Sequence, residues 1–221
     1  MIGYAAGMSD RTPLLQLSLL DAADEPSLRT LAGHAERTTL TAGAWVDVRR
    51  SWVSGADALF ERLVGTVPWH GERRTMYDRE VDVPRLVGHF RLDPAPDIAP
   101  RAINDAARRV IDTLRVPFNS VGLNLYRDGR DSVAPHNDHL NEIRKGFPIA
   151  LISLGATRRM TIRAKAQPRT SVSVDLEPGS LLVMDYATQL HYTHGVPKTT
   201  EPVGERISLA FRVKQPRGAR Y

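Results

Sequence analysis

Two residues in the segment APHNDHL, His136 and Asp138, are spaced so that they can act together. If the segment is a β-strand, positions i and i+2 point to the same face, about 6.6 Å apart along the chain. An imidazole and a carboxylate would then be aimed at one metal ion. The same pair is common as ordinary polar residues on a solvated strand, so it decides nothing alone.

A third ligand is available downstream, where QLHYTHGVP contains His191 and His194. Two histidines and one carboxylate form a facial triad that holds Fe(II) and leaves positions open for a cosubstrate and dioxygen. Both separations from Asp138 suit neighbouring strands, so the spacing does not choose between the two histidines. The chain has no cysteine, which excludes thiolate ligands.

The segment RISLAFR predicts a strand with Arg206, Ser208 and Arg212 on one face and apolar residues on the other. Inward guanidinium groups need anionic partners, and a dicarboxylate ligand would supply one to each. An edge strand with two solvated arginines is the alternative interpretation. Asn124 and Tyr126 share a face of another predicted strand and are candidates to bind a carboxylate beside the metal.

The secondary structure that must position these residues is predicted to change near residue 119, from helices upstream to strands downstream. Two helices are predicted upstream: one over SGADALFERLVGTVPW with Ser54 as N-cap, and one over PRAINDAARRVIDTLR that ends at Pro117. Downstream, the apolar residues alternate, which predicts short strands. This pattern predicts a mainly β, α+β protein: an antiparallel sandwich or jelly roll backed by helices. The predicted strands are SVGLNLY, SVAPHND, FPIALISLG, RRMTIRAK, SVSVDLE, GSLLVMDY, QLHYTHGV and RISLAFRV.

Length and composition set the remaining bounds. The 221 residues suit one domain, with or without an N-terminal extension. A net charge of +5, from 30 basic and 25 acidic residues, permits a nucleic-acid partner without requiring one. No apolar run is long enough to span a bilayer, and no secretory signal opens the chain. We therefore expect a cytoplasmic protein, without a membrane partner, that acts as a monomer.

Six motifs, in this order, resemble the AlkB family of Fe(II)/2-oxoglutarate dioxygenases: LNLYRDG, HND, FPIALISLGA, EPGSLLVMD, HYTHGVP and RISLAFR. The likeness runs from about residue 56 to residue 213 and is densest after residue 119. It implies a double-stranded β-helix (jelly-roll) core, preceded by a helical layer and nucleotide-recognition loops. It also divides the chain into an N-terminal extension, 1–40, and a dioxygenase domain, 41–221.

The resemblance implies roles for individual residues. His136, Asp138 and His194 would be the iron ligands at the catalytic centre, and the YTHG step selects His194 over His191. Arg206 would pair with the distal carboxylate of 2-oxoglutarate, while other residues hold the end that chelates iron. The implied cosubstrate contacts are Asn124, Tyr126, Arg206, Ser208 and Arg212, with Ser208 the weaker one.

The implied cofactors are Fe(II), 2-oxoglutarate and dioxygen, and the implied reaction is oxidative demethylation or dealkylation of nucleobases in DNA or RNA, as in repair. The partner would be alkylated single- or double-stranded nucleic acid. The chain departs from the family directly after the metal motif, where His139 and Leu140 replace the expected acidic residues. A protein side chain or small molecule therefore stays open as the substrate. A non-enzymatic jelly-roll binding module is the third hypothesis. Candidate substrate contacts are Tyr77, His89, Phe90, His139 and Glu142.

Overall fold

A computed structural model of the chain describes residues 34–76, 79–92 and 99–215. Its helices are α1 (Ala56–Thr66), α2 (Arg101–Leu114) and α3 (Tyr186–His191). Its strands are β1 (Glu36–Thr39), β2 (Trp45–Arg49), β3 (His70–Met76), β4 (Arg79–Arg91), β5 (Ser120–Tyr126), β6 (Val133–His136), β7 (Ile149–Gly155), β8 (Arg158–Ala164), β9 (Ser171–Leu176), β10 (Leu181–Met184), β11 (Tyr192–Val196) and β12 (Arg206–Arg212).

The strands form two antiparallel sheets. The larger sheet has the order β1-β2-β10-β7-β12-β5-β4-β3, and the smaller has the order β6-β11-β8-β9. Buried residues of both sheets share one hydrophobic cluster, while α1 and α2 share the other with the larger sheet. The helices therefore cover one face of the larger sheet and the smaller sheet covers the opposite face. This is the α+β jelly roll that the alternating pattern predicted.

Strand β12 lies near the centre of the larger sheet, between β5 and β7, and shows how this layering separates its side chains. Ile207, Leu209 and Phe211 are fully buried in the cluster on the helix side. Ser208 and Arg212, which alternate with them, line a cavity on the opposite side. Since successive strand residues point to opposite faces, one strand serves both the core and the cavity.

The two upstream helices are confirmed, but their ends differ from the prediction. Helix α1 is capped by Gly55 in a left-handed conformation with φ 73°, and Ser54 is one residue outside it. Helix α2 ends before Arg115, whose φ of 54° is also left-handed, two residues ahead of Pro117. In both cases a local backbone reversal sets the boundary, and the apolar stripe does not encode it.

The predicted strand over QLHYTHGV is wrong in its first half. Residues Tyr186–His191 form α3, and the strand begins only at Tyr192. The side chain of Asp185 accepts hydrogen bonds from the backbone N–H groups of Ala187 and Thr188, so it caps this short helix. Among the residues described, no helix has the length and apolar character needed to cross a membrane.

Candidate active site

A cavity of about 590 Å³ is lined by residues of both sheets and holds most of the predicted site residues. Its lining contains three sets of predicted side chains. The predicted metal ligands that line it are His136, Asp138 and His194; the predicted cosubstrate contacts are Asn124, Tyr126, Ser208 and Arg212; the predicted substrate contacts are His89, His139 and Glu142. The fold thus brings together residues that are up to 123 positions apart, from His89 to Arg212.

The two predicted histidine ligands face each other across neighbouring strands. His136 on β6 is paired directly with His194 on β11, and their ring centroids are 4.5 Å apart. Gly195 permits this approach, because a Cβ there would lie 2.7 Å from the carbonyl oxygen of Val133 and 3.0 Å from the nitrogen of Pro135. Pro135 is tolerated because β6 is an edge strand of the smaller sheet.

Both histidines favour the neutral form that binds metals. Burial, with a smaller contribution from His136, lowers the pKa of His194 to about 3. Burial also lowers the pKa of His136 from its ordinary value. The Nδ1 atom of His136 lies 3.0 Å from the carbonyl oxygen of Ala134, so a proton on Nδ1 leaves Nε2 free to bind a metal.

Asp138 is held ionised by Arg212 at the end of β12. Nε and Nη2 of Arg212 donate to the same carboxylate oxygen, Oδ1, at 3.0 and 2.7 Å. Burial opposes ionisation of the Asp138 carboxyl, but the charge and hydrogen bonds of Arg212 outweigh burial and lower the pKa of Asp138. Gly122 leaves room for this arginine, since a Cβ there would lie 3.2 Å from Nη1 of Arg212.

Several polar atoms in this region are buried without a hydrogen-bond partner among the described residues. They include Oδ2 of Asp138 and Nδ1 of His194. Buried polar atoms are rarely left unpaired, so a bound group that supplies partners fits here. Within the described chain, no three acidic or histidine side chains already converge on one metal position. Binding therefore requires the Asp138 and histidine side chains to adjust.

Arg206 is fully buried and does not line the cavity itself. Its Nε donates to the hydroxyl of Ser153 at 2.9 Å, while Nη1 and Nη2 have no partner among the described residues. Its guanidinium carbon lies 5.1 Å from the ring centroid of Tyr126, which does line the cavity. Burial lowers the pKa of Arg206, and Tyr126 only partly opposes this. Two buried donors next to the cavity wall fit a carboxylate.

Asn124, Ser208 and Arg85 form a polar group on the cavity wall. Asn124 donates to the hydroxyl of Ser208 at 3.5 Å and accepts from Nε of Arg85 at 2.6 Å. Arg85 also donates to the carbonyl oxygen of Ser132 at 3.3 Å. Arg85 lines the cavity and was not predicted.

Asn137, the middle residue of the HND segment, fixes the position of this segment. Asn137 donates to the carbonyl oxygens of Gln189, at 2.9 Å, and Tyr192. The Gln189 side chain, which is fully buried, accepts from the backbone N–H of Asp138 at 3.3 Å. These bonds tie the segment that carries Asp138 to α3 and to the start of β11. Neither side chain was predicted as part of the site.

The remaining predicted residues divide between site and core. Phe90 is not a substrate contact: it is 7% exposed and packs in the helix-side cluster, because it points away from the face used by His89. Tyr77 lies outside the described residues. His191 is exposed at the end of α3 and does not line the cavity, whereas His194 does.

The fold is a jelly roll with a polar cavity between its two sheets. Residues 53–212 match the family model of the 2OG-Fe(II) oxygenase superfamily, which is most of the chain. The protein is therefore an AlkB-like member of the 2OG-Fe(II) oxygenase superfamily. It belongs to an enzyme class, the dioxygenases, whose cofactors are Fe(II), 2-oxoglutarate and dioxygen, as predicted.

Individual relatives agree with this assignment. Alpha-ketoglutarate-dependent dioxygenase alkB homolog 3 from Homo sapiens is 32% identical over 187 residues, covering 76% of this chain and 65% of the relative. The alignment thus spans just under two thirds of that protein. DNA oxidative demethylase ALKBH2 from Mus musculus is 28% identical over 227 residues, covering 85% of this chain and 94% of the relative. The solved structure of OsALKBH1 has the same fold, with a TM-score of 0.52 at 16% identity, over 76% of this chain and 97% of that one.

Replacing Gly195 by alanine tests the close approach of the two histidine strands. Because the added Cβ meets backbone atoms of β6, Gly195→Ala should separate His136 from His194 and weaken Mn(II) binding, measured anaerobically, by about ten- to a hundredfold. Gly65→Ala is the control, since nothing lies within 4 Å of the corresponding Cβ position in α1. Equal Mn(II) affinity in the two variants would contradict the assigned role of Gly195.

The burial of neutral His194 predicts a pH dependence of stability in the metal-free protein. The unfolded chain takes up this proton near the ordinary pKa of 6.5, whereas the folded chain does so only near pH 3. The free energy of unfolding should therefore fall as the pH drops from 6.5 towards 3, by up to about 1.4 kcal/mol per pH unit for this group. Denaturant titrations should show a shallower fall for His194→Gln; identical slopes would disprove the assignment.

Proposed function

We propose that the protein oxidatively demethylates or dealkylates alkylated nucleobases in DNA or RNA. The observation that carries this proposal is the convergence, on one cavity, of two neutral histidines, a buried carboxylate and a set of cosubstrate-type polar groups. Two relatives named above, a DNA oxidative demethylase and an alkB homologue, support the nucleic-acid class of substrate.

We assign His136, Asp138 and His194 as the ligands of Fe(II). The unpartnered Oδ2 of Asp138 and the lowered pKa values of both histidines support this assignment. When bound, the iron and 2-oxoglutarate supply the oxidation of a substrate C–H bond by dioxygen, with succinate and carbon dioxide as coproducts. Arg212 acts on the protein side by fixing Oδ1 of Asp138 and keeping the carboxylate ionised.

We assign the binding of 2-oxoglutarate to Arg206, Arg212, Asn124 and Tyr126, with Ser208 as a weaker contact. Arg206 is the residue for the distal carboxylate, because its two unpartnered nitrogens match the bidentate geometry of a carboxylate. Ser153 orients this guanidinium through its Nε, so that the other two nitrogens are presented together.

The substrate reaches the cavity past the residues at its outer part. His89, His139 and Glu142 are placed to contact a base, and we keep them as proposed substrate contacts. An enzyme that acts on a base must take it out of the stack into such a pocket. Hydroxylation of the methyl carbon on a base nitrogen gives a product that releases formaldehyde.

We infer an extension over residues 1–40 ahead of a dioxygenase domain over 41–221. Residues 1–33 lie outside the described part of the chain, and Glu36–Thr39 form β1 at the edge of the larger sheet. We also infer a monomer that works in the cytoplasm without a membrane partner. Size-exclusion chromatography of the full chain and its cellular fractionation test these inferences.

A conservative exchange tests the role of Arg206. Arg206→Lys keeps the charge but loses the two-pronged contact, so the KM for 2-oxoglutarate should rise about tenfold or more, as should its Kd in calorimetry. Arg159→Lys is the matched control, because Arg159 makes an exposed ion pair with Asp175 and does not line the cavity. An unchanged Kd in a folded Arg206→Lys variant would remove Arg206 from the site.

Turnover on methylated oligonucleotides tests the function itself. With Fe(II) and 2-oxoglutarate, the protein should release succinate and formaldehyde in equal amounts, and His136→Ala should abolish both because it removes a metal ligand. His191→Ala, an exposed histidine outside the cavity, should retain full turnover. Oligonucleotide binding should weaken as salt rises. Uncoupled 2-oxoglutarate turnover without demethylation of any oligonucleotide would move the assignment to a protein side chain or small molecule.

A further inference from the structure

The charged residues that line the cavity are balanced in sign. Among the described lining residues there are three carboxylates and three basic side chains: Glu72, Asp138 and Glu142 with Arg85, Arg212 and Lys214. The three other titratable residues at its outer part, His70, His89 and His139, add no permanent negative charge. A positively charged ligand in this cavity would therefore find no carboxylate in excess of the basic side chains.

Each lining carboxylate already has a partner within the chain. Asp138 accepts from Arg212 at 2.7 Å, and Glu142 accepts from Nζ of Lys214 at 3.1 Å. Glu72 also has an interaction partner. Asp138 is in addition the proposed metal ligand, which leaves Glu72 and Glu142 as the carboxylates that a cationic substrate could use, and Glu142 lies in the loop that follows Asp138.

Lys214 is fixed beside Glu142 by the backbone. The N–H of Lys214 donates to the Asn119 side chain at 2.7 Å, and the N–H of Gln215 donates to the carbonyl oxygen of Glu142 at 3.0 Å. A bridge between Ile143 and Lys214 joins the same two segments. The Glu142–Lys214 pair is therefore built into the junction between the loop after Asp138 and the end of β12.

The charged side chains of the outer cavity also act on the ionisation of His89, which lines it. The pKa of His89 is lowered first by its partial burial and then by Lys214 and Arg212, while Glu142 acts in the opposite direction. A positive charge on this ring is thus disfavoured even though Glu142 is close. For another cationic group in the outer cavity, Lys214 and Arg212 would likewise be unfavourable and Glu142 favourable.

An alkylated base can be either cationic or neutral, depending on its parent. Methylation at N3 of cytosine or N1 of adenine gives a base that is positively charged at pH 7. Methylation at N3 of thymine or N1 of guanine gives a neutral base. A cationic base gives up its hydration on entry and needs a free carboxylate in exchange, whereas a neutral base needs only hydrogen bonds and stacking.

We propose, on the basis of the nucleobase activity proposed above, that this site selects N-alkylated bases that are neutral over bases that are cationic. Lys214 is the specificity-determining residue, because its ion pair neutralises the charge of Glu142, the carboxylate that a base would contact. The preferred class is represented by 3-methylthymine and 1-methylguanine, and the disfavoured class by 3-methylcytosine and 1-methyladenine.

The test compares 3-methylthymine with 3-methylcytosine in otherwise identical single-stranded oligonucleotides, so that phosphate contacts contribute equally. The wild-type kcat/KM for 3-methylthymine should equal or exceed that for 3-methylcytosine. Lys214→Met should shift the ratio towards 3-methylcytosine by about two- to fivefold, the size expected for freeing one partly exposed carboxylate. Lys198→Met, an exposed lysine outside the cavity, should leave the ratio unchanged.

Two further variants separate specificity from a loss of structure. Glu142→Gln alone should leave the ratio within about twofold, since Lys214 already neutralises the charge of that carboxylate. Lys214→Met combined with Glu142→Gln should return the ratio to the wild-type value. Equilibrium binding of both oligonucleotides to the metal-free protein should follow the same order.

The outcomes distinguish this inference from the function on which it rests. A wild-type preference for 3-methylcytosine, or a ratio that Lys214→Met does not move, would overturn the inference and leave nucleobase demethylation standing. Failure to act on either base, with 2-oxoglutarate turnover intact, would overturn both. Turnover of both bases with the predicted shift would support both.

Discussion

The burial of the Arg206 guanidinium is the constraint on which the rest of the structure depends. Arg206 is fully buried, and only its Nε has a protein partner among the described residues. Removing a charge from water costs several kcal/mol unless an opposite charge compensates it. Neighbouring Tyr126 offers a ring face, which is a weaker partner than a carboxylate. A bound dicarboxylate would supply the missing anionic partner, so binding of the proposed cosubstrate would also stabilise the fold.

The larger sheet can accommodate the cost of burying Arg206 because one of its faces forms the apolar core and the other lines the cavity. On the helix side, Ile207, Leu209 and Phe211 of β12 pack against α1 and α2 in a continuous apolar cluster. On the other side the same strand contributes Ser208 and Arg212 to the cavity. The helix-side cluster provides the apolar burial that stabilises a domain of this size. Polar residues can therefore accumulate on the cavity side without the loss of the fold.

The parts of this arrangement that the sequence predicted are those with a periodic signal. The alternation in RISLAFR predicted which residues of β12 share a face, and the pattern of PRAINDAARRVIDTLR predicted helix α2. Local backbone signals were weaker. Ser54 resembles an N-cap, yet Gly55 takes that position, and the residues before Tyr192 become a helix because Asp185 caps them. Phe90 was misassigned because aromatic character says nothing about which strand face a residue occupies.

The residues that were missed act through partners that are distant in sequence. Ser153 orients Arg206 from another strand, and Gln189 holds the backbone of Asp138 from α3. Arg85 reaches Asn124 across 39 residues. No spacing rule connects such pairs, because the register between strands sets them and only the folded chain defines that register.

The strand register also determines which charged side chains meet at the outer part of the cavity. Glu142 and Lys214 are 72 residues apart and meet only because the loop after Asp138 is bonded to the end of β12. Arg212, two residues before Lys214, is bonded to Asp138, four residues before Glu142. Two ion pairs thus join the same two segments in parallel, one at the proposed metal ligand and one at the outer cavity. The segment that presents Asp138 therefore cannot be repositioned without also changing the charge that meets the substrate.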